Sequence, residues 1–588
     1  AICTPGEAGE MDILTSTQNP TFTQRNAAKV LGIAEHLITA HVKRVGGGFG
    51  GKETRSIPIS CSAAVPAQIL KRPVRLVLER PVDMSNHGTR HPFMGRYKMG
   101  FTMDGKIVAY DVELFANGGH SLDLSIAILH RALFHVDNAY WVPNIRCRGT
   151  VCRTNRPSNT AFRGFGGPQG MIVIESAMAR MADILKLEPA DLRLANMYTE
   201  GQKTHYLKAV EHCNLQRCWN ELLETSSYKQ RKAAIAQFNQ DNKWKKRGIS
   251  CIPVKFGLSF THAPLNQAGS LIHVYEDGTV IVNQGACEIG QGVFTKMAQI
   301  AAQALGIPLS LVRVAETNTD KVANTSATAA SVQADINGMA VLDACKQIRK
   351  RLDDFIARKP EEYAKLSWHE LIHHAYFNRV DLTAHGFFEA EYGYDWKNHA
   401  GKVFAYYTYG AACSEVEVDI LTGEHRIVRS DIVMDVGKSL NPALDVGQVE
   451  GAFVQGYGWA TTEEILVFNG YGTLYTRGPG TYKIPGPGNV PADFRVRLLK
   501  DAEHPFAVHS SKGVGEPPFF LGTSVFFAIK EAVKSARADN GVNGYFQMTL
   551  PASVDRIRLA CGDSFTAPIH NEPGCFIDEY PTLDTHDN

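Results

Sequence analysis

Four glycine-rich turns constrain this chain more than any other feature. They read GGGFGGKE (46–53), AFRGFGGPQGM (161–171), CEIGQGVF (287–294) and GVGEPP (513–518). Glycine lets a backbone approach a ligand closely, and helix N-termini offer unpaired N–H groups to anions. The first turn follows a predicted strand in which Ile38, Ala40 and Val42 alternate with Thr39, His41 and Lys43. The second precedes a helix containing Ile172 to Leu185. The third opens a helix with Val293, Met297, Ile300, Ala301 and Ala304 as apolar positions. The fourth opens another, with Pro517 where a first-turn proline is tolerated. A fifth helix start, NTSATAASVQADINGMA (324–340), supplies hydroxyls instead. A mononucleotide does not need so many such turns. Together they point to one large, anionic, polar-edged cofactor gripped by backbone.

The first turn also excludes a nucleotide. It satisfies G-x-x-x-x-G-K from Gly46 to Lys52, then places Glu53 where a phosphate-cradling loop needs a Ser or Thr hydroxyl for magnesium. A carboxylate there would repel the phosphates. The ligand has to want a glycine-rich backbone and an acid side by side.

At 588 residues, two or more domains are expected. Hairpin signals at Asp104-Gly105, Asp277-Gly278 and Thr422-Gly423 lie among long helical stretches such as 168–185 and 335–352. Strands and helices do not alternate one for one, so the fold class is α+β with two domains. The charged stretch SSYKQRKAAIAQFNQDNKWKKRG separates two motif-bearing halves, which gives domains 1–225 and 226–588. The first domain is expected to lack its N-terminal part. The last residues, including EPGCFIDEYPTLDTHDN, read as a turn-rich surface tail. A net charge of +1 gives no electrostatic reason to expect nucleic acid or an anionic membrane. No apolar run is long enough to span a bilayer, and the N-terminus has no signal-peptide pattern. The 12 cysteines form no C-x-x-C, which argues against iron–sulfur ligation in this chain and for reduced thiols in the cytoplasm. The peroxisome is the alternative compartment.

One motif points elsewhere. HELIHH from His369 matches the H-E-x-x-H zinc-protease pattern, with Glu391 as a conceivable third ligand. The same residues read as an ordinary amphipathic helix, with Leu366, Leu371, Ile372 and Ala375 on its apolar side, and that reading is preferred.

Taken together and in order, GGGFGGKETR, RTNRPSNTAFRGFGGPQG, EIGQG, VMDVG…LNPALDVGQVEGAFVQG and GVGEPP resemble the molybdopterin-binding region of the molybdenum hydroxylases, the xanthine dehydrogenase/oxidase family. The resemblance runs through nearly the whole chain apart from the tail. It implies Mo-molybdopterin as cofactor, with the metal held by the pterin dithiolene and by no protein side chain. It also implies two [2Fe–2S] centres and FAD in regions that this chain does not contain, and a homodimer.

Residue by residue, the resemblance implies cofactor contacts at Gln18, Phe49, Arg163, Gln291, Ala330, Ser331 and Gln448. Glu53 and Arg131 match the acid and arginine that hold opposite edges of a purine. Phe165 and Phe260 match the aromatics that sandwich a planar substrate, and Thr261 matches a neighbouring pocket residue. Glu516 matches the general base, which takes a proton from the attacking oxygen, and water supplies the product oxygen. The implied activity is hydroxylation of hypoxanthine to xanthine and of xanthine to urate. The rivals are an aldehyde oxidase or other N-heterocycle hydroxylase, which the Glu53/Arg131 pair disfavours, and a non-catalytic cofactor carrier.

Overall fold

The computed structural model describes residues 1–467, 472–505 and 507–566. The expected tail segment at 572–588 lies outside the described residues. The chain is a mixed α+β protein, with four sheets of five, four, four and three strands among the described residues. All three expected hairpins form. Phe93–Phe101 pairs antiparallel with Ile107–Gly119, Gln267–Val274 with Val280–Gln284, and Tyr406–Asp419 with His425–Met434.

The five-stranded sheet shows how local sequence builds the frame of the first turn. Met11–Leu14 and Ile38–Val42 run parallel, so a crossover has to join them. That crossover is the Pro20–Leu31 helix. Asn19 caps it by accepting from Phe22 N, Pro20 sits in the first turn, and Gly32 ends it at φ 68°. The edge of this sheet is closed by Thr317–Asn318, which pairs with His41 and Val42 from far along the chain. The two motif-bearing halves therefore share a sheet.

A second frame holds the fourth turn. Lys245–Leu258 and Tyr406–Asp419 pair over their whole length and are buried almost throughout. The Thr523–Asp539 helix covers one face, and the helices Leu215–Thr225 and Tyr228–Asp241 lie on the same sheet. The charged stretch thus contributes a packed helix. Its Arg231 bonds Glu415 and Asp431, and its Tyr228 and Ile235 are buried. The Pro442–Thr461 helix packs so closely on the turn Pro517–Gly522 that a Cβ on Gly456 would lie 1.8 Å from Phe519 O. Only glycine allows that approach, and it fixes the turn that follows Glu516.

The HELIHH segment is the Trp368–Phe377 helix, with Leu371, Ile372 and Ala375 buried as the amphipathic pattern requires. Glu370 is spent in a capping box with Ser367, and His369 faces Asp277 O at 2.6 Å. Every cysteine among the described residues is a free thiol. No helix among them is long and apolar enough to cross a membrane.

Candidate active site

The glycine turns converge on one cavity of about 520 Å³. The first turn closes onto Gln18, whose Oε1 accepts from Gly50 N (2.9 Å) and Lys52 N (3.3 Å). Gln18 Nε2 donates to Thr328 O at 2.8 Å, which ties the turn to the segment before the Gln333–Ile356 helix. A Cβ on Gly48 would sit 2.6 Å from Gln18 Oε1, so the turn lies flat against that amide. Phe49 and Glu53 both line the cavity.

Glu53 is a strongly perturbed acid in the wall. Its Oε2 is buried with no hydrogen-bond partner. Burial, then the charges of Glu516 and Asp123, push its carboxyl up to about 8, and Arg131 pulls the other way. It carries a proton at neutral pH and can donate as well as accept.

The second turn supplies Phe162, Arg163 and Phe165. Arg163 is half-buried and reaches across to the other half of the chain. It donates to Gly515 O, to Gln455 Oε1 (3.2 Å), and to Gln448 O (3.2 Å) and Oε1 (3.1 Å). Beneath it, the Arg90 guanidinium lies 4.4 Å from the ring centroids of both Phe162 and Phe519, and donates to Arg163 O at 2.7 Å. Gly164 N donates to Glu516 Oε1 (3.1 Å), and Ser331 Oγ donates to Glu516 Oε2 (3.0 Å). The two oxygens of Glu516 are therefore each oriented by one donor at the cavity wall.

Two helix starts differ from expectation. At the third turn, the N–H groups of Gly290, Gly292 and Phe294 all donate to the Glu288 carboxylate, so that helix end is already capped from within. Gln291 is folded onto its own loop, accepting from Ile289 N and donating to Cys287 O. At the fifth helix start the hydroxyls do not cap, and the N-cap is Val332. Thr325 bonds Thr21, Ser326 bonds Leu265 O, and Ser331 bonds Glu516. Here Ala330 and Ser331 both take φ 56°, a conformation that costs such residues of order 1 kcal/mol or more each. Residues 328–331 and 333–335 line the cavity around this strained pair.

The cavity brings together Gln18, Phe49, Glu53, Arg163, Phe165, Gln291, Ala330, Ser331, Gln448 and Glu516. Arg131, Phe260 and Thr261 are not among its lining residues. Arg131 is buried on the Ser125–Phe134 helix and donates to Gly257 O (3.0 Å) and Ser259 O (2.6 Å). It is close enough for its charge to act on Glu53. Phe260 is buried, with its N–H on Asn266 Oδ1, and Thr261 O accepts from Tyr394 N. Sequence reasoning missed Lys296, Asp335, Gln455 and Lys512, which also line the wall. Lys296 bonds Asp445 (2.7 Å) and Lys512 bonds Asp435 (2.6 Å). Burial pushes the Asp335 carboxyl up to about 7, against the Tyr406 hydroxyl and Lys296, which lower it.

These residues fit a large pterin cofactor. A Cβ on Gly46, Gly290 or Gly447, all of which line the cavity, would meet nothing within 4 Å. The wall pairs backbone-lined space with the side-chain amides of Gln448 and Gln455, as a polar ring edge requires, while Lys296 and Lys512 stand in it as ion pairs with Asp445 and Asp435.

Fold and site define a molybdopterin-binding protein. Residues 1–197 and 221–491 each match a family described as molybdopterin cofactor-binding domain. The chain belongs to the molybdopterin cofactor-binding domain family, and nearly its whole length is similar to part of the xanthine dehydrogenases. It is 51% identical over 566 residues to the xanthine dehydrogenase of Dictyostelium discoideum, covering 95% of this chain and 41% of that protein. It is 52% identical over 573 residues to the xanthine dehydrogenase/oxidase of Gallus gallus, covering 97% and 42%. The chain thus spans about two fifths of the length of these relatives. Among solved structures, quinoline 2-oxidoreductase from Pseudomonas putida 86 superposes with a TM-score of 0.84 at 23% identity, covering 95% of this chain and 73% of that one. The aldehyde oxidoreductase of Desulfovibrio desulfuricans gives 0.84 at 22%, covering 95% and 58%. At that identity these two structures share the fold.

Proposed function

We propose that this chain forms the hydroxylating centre of a molybdenum-dependent oxidoreductase acting on purines, converting hypoxanthine to xanthine and xanthine to urate with water-derived oxygen. The observation that carries this reading is the pairing of two unlike carboxyls on one cavity. Glu53 is buried with an unpartnered oxygen, and Glu516 has both oxygens oriented by Gly164 N and Ser331 Oγ.

Molybdopterin would be held by the first turn with Gln18, by residues 328–335, and by Gln448 and Gln455. Bound there, it supplies two-electron redox chemistry at the metal. Glu516 acts as general base, taking the proton of the oxygen that attacks the ring carbon. Gly164 and Ser331 fix the direction in which that carboxylate accepts. Glu53, protonated at neutral pH, donates to an acceptor on the purine edge. Arg131 spends two of its five N–H donors on Gly257 and Ser259, and its charge favours negative charge developing on the ring. Phe165 flanks a planar substrate from the cavity wall; Phe260, with Thr261 beside it, lies outside that lining and is the second aromatic of the proposed sandwich.

The same reading includes domains of 1–225 and 226–588, iron–sulfur and FAD groups carried by other regions of the same enzyme, a homodimer, and a cytoplasmic or peroxisomal location. The test is Glu516→Gln in the complete enzyme. It keeps the shape and removes the base, so turnover should fall by at least the roughly 10²-fold typical of a lost general base. Molybdenum content should stay unchanged. Near-normal turnover would reduce Glu516 to a loop acid and remove the mechanism.

A further inference from the structure

The loop that carries Glu516 is gripped three residues earlier, at Gly513, by a strand that contributes no lining residue to the cavity. Tyr406 and Thr408 are two residues apart on the Tyr406–Asp419 strand, so both point to the same side of the sheet. Tyr406 Oη accepts from Gly513 N at 2.8 Å, and Thr408 Oγ1 donates to Gly513 O at 3.0 Å. Both polar groups of one residue's backbone are thus held by one strand. That strand is an inner one, flanked by Lys245–Leu258 and His425–Met434, and it is buried along nearly its whole length.

The circuit closes through the fifth helix start. Tyr406 donates its own proton to Asp335 Oδ2 at 2.6 Å, in the first turn of the Gln333–Ile356 helix. Ser331, just before that helix, donates to Glu516 Oε2. No side chain can intervene: a Cβ on Gly513 would lie 2.4 Å from Ser331 O, and one on Gly515 would lie 2.9 Å from Ser331 Oγ. Beyond Glu516 the chain is stiffened by Pro517 and Pro518.

We propose that Tyr406 and Thr408 are positioning residues for Glu516, acting through the Gly513 peptide and, by way of Asp335, locking the base loop to the helix start that lines the cofactor cavity. The proposal rests on the reading of Glu516 as the base. Without the clamp the carboxyl still exists and the cavity still binds, but the base samples more directions. The signature is therefore a fall in kcat with little change in KM, a loss that disappears once the base is gone.

The experiment uses the complete enzyme carrying Tyr406→Phe, Glu516→Gln and the two together, with amide hydrogen exchange measured alongside steady-state turnover of xanthine. Tyr406→Phe should lower kcat by about tenfold or more with KM within about twofold, and add nothing to Glu516→Gln. Exchange at Gly513, Gly515 and Glu516 should quicken by about tenfold or more, while Ala411–Val416 stays as slow as before. Thr408→Val should give a smaller version of both effects, and Thr408→Ser, which keeps the hydroxyl, should restore them; this pair decides the matter if Tyr406→Phe does not fold. Unchanged exchange at Gly513–Glu516, or a loss in Tyr406→Phe that multiplies that of Glu516→Gln, overturns the clamp. If Glu516→Gln alone leaves turnover intact, the functional reading has failed, and the exchange result still decides whether the clamp exists.

Discussion

Glu53 shows how much one residue's chemistry depends on where the chain puts it. Its type and place beside glycines were legible in the sequence, because an acid where a magnesium-binding hydroxyl belongs is a local contradiction. Its protonation was not, since that depends on Glu516, Asp123 and Arg131, all distant in sequence. The consequence for stability has a definite sign. With the folded carboxyl at about 8 and an ordinary unfolded value near 4.5, the folded state keeps a proton that the unfolded state gives up. The stabilising contribution is complete below the unfolded value and is lost as pH rises toward about 8. Glu53→Gln removes that dependence. The variant should be more stable to urea than the parent at about pH 7.5, by on the order of 4 kcal/mol, and the gap should shrink to about 1 kcal/mol near pH 5.5. A gap that does not change with pH would show that Glu53 is ionised in the folded protein. Lys296 and Lys512 escaped sequence reasoning for a related reason. A lysine in a helix or loop reads as solvated, and the carboxylates that keep these two buried lie at Asp445 and Asp435, 149 and 77 residues away.

Elements were more legible than the contacts between them. The hairpins follow from turn dipeptides and period-two alternation, and the long helices from apolar periodicity, both of which are local properties. What each helix end does with its amides is decided by neighbours. The third turn gives its N–H groups to the carboxylate of Glu288 in its own loop, and the fifth sends its hydroxyls to Thr21 and to Leu265 O. The Trp368–Phe377 helix makes the same point in reverse. Its sequence carries a metalloprotease pattern, yet its Glu370 is committed to Ser367, and its His373 ring nitrogen lies 3.3 Å from Glu276 on the surface. On the proposed reading, changing both His369 and His373 to Ala in the complete enzyme should leave xanthine turnover within about twofold, because the histidines face Asp277 and Glu276 of the hairpin rather than the cavity. Turnover lost in a folded, molybdenum-loaded double variant would mean that the pattern serves the reaction after all.

At the scale of the whole molecule, the cavity is a seam. Gln18, Glu53 and Arg163 come from the part matching one molybdopterin cofactor-binding domain, Gln448 and Gln455 from the part matching the other, and Glu516 from beyond both. A ligand that touches all three parts stabilises only the assembled state, by RT ln(1 + [L]/Kd), or about 4 kcal/mol when it stands at a thousand times its dissociation constant. Arg163 is the side chain that draws the parts together, with its guanidinium shared among Gly515, Gln448 and Gln455. Lysine keeps the charge but offers a single ammonium on a flexible stem, which cannot reproduce a planar fork with three separate sets of partners. Arg163→Lys should therefore fold, yet release the cofactor. Molybdenum content after gel filtration should fall by about tenfold, and the melting temperature of the purified variant should drop to that of the parent protein stripped of cofactor. The comparison with stripped parent separates loss of the ligand from loss of the arginine's own bonds. If the variant retains its molybdenum and melts with the loaded parent, the seam is held without Arg163, and the glycine turns alone carry the cofactor.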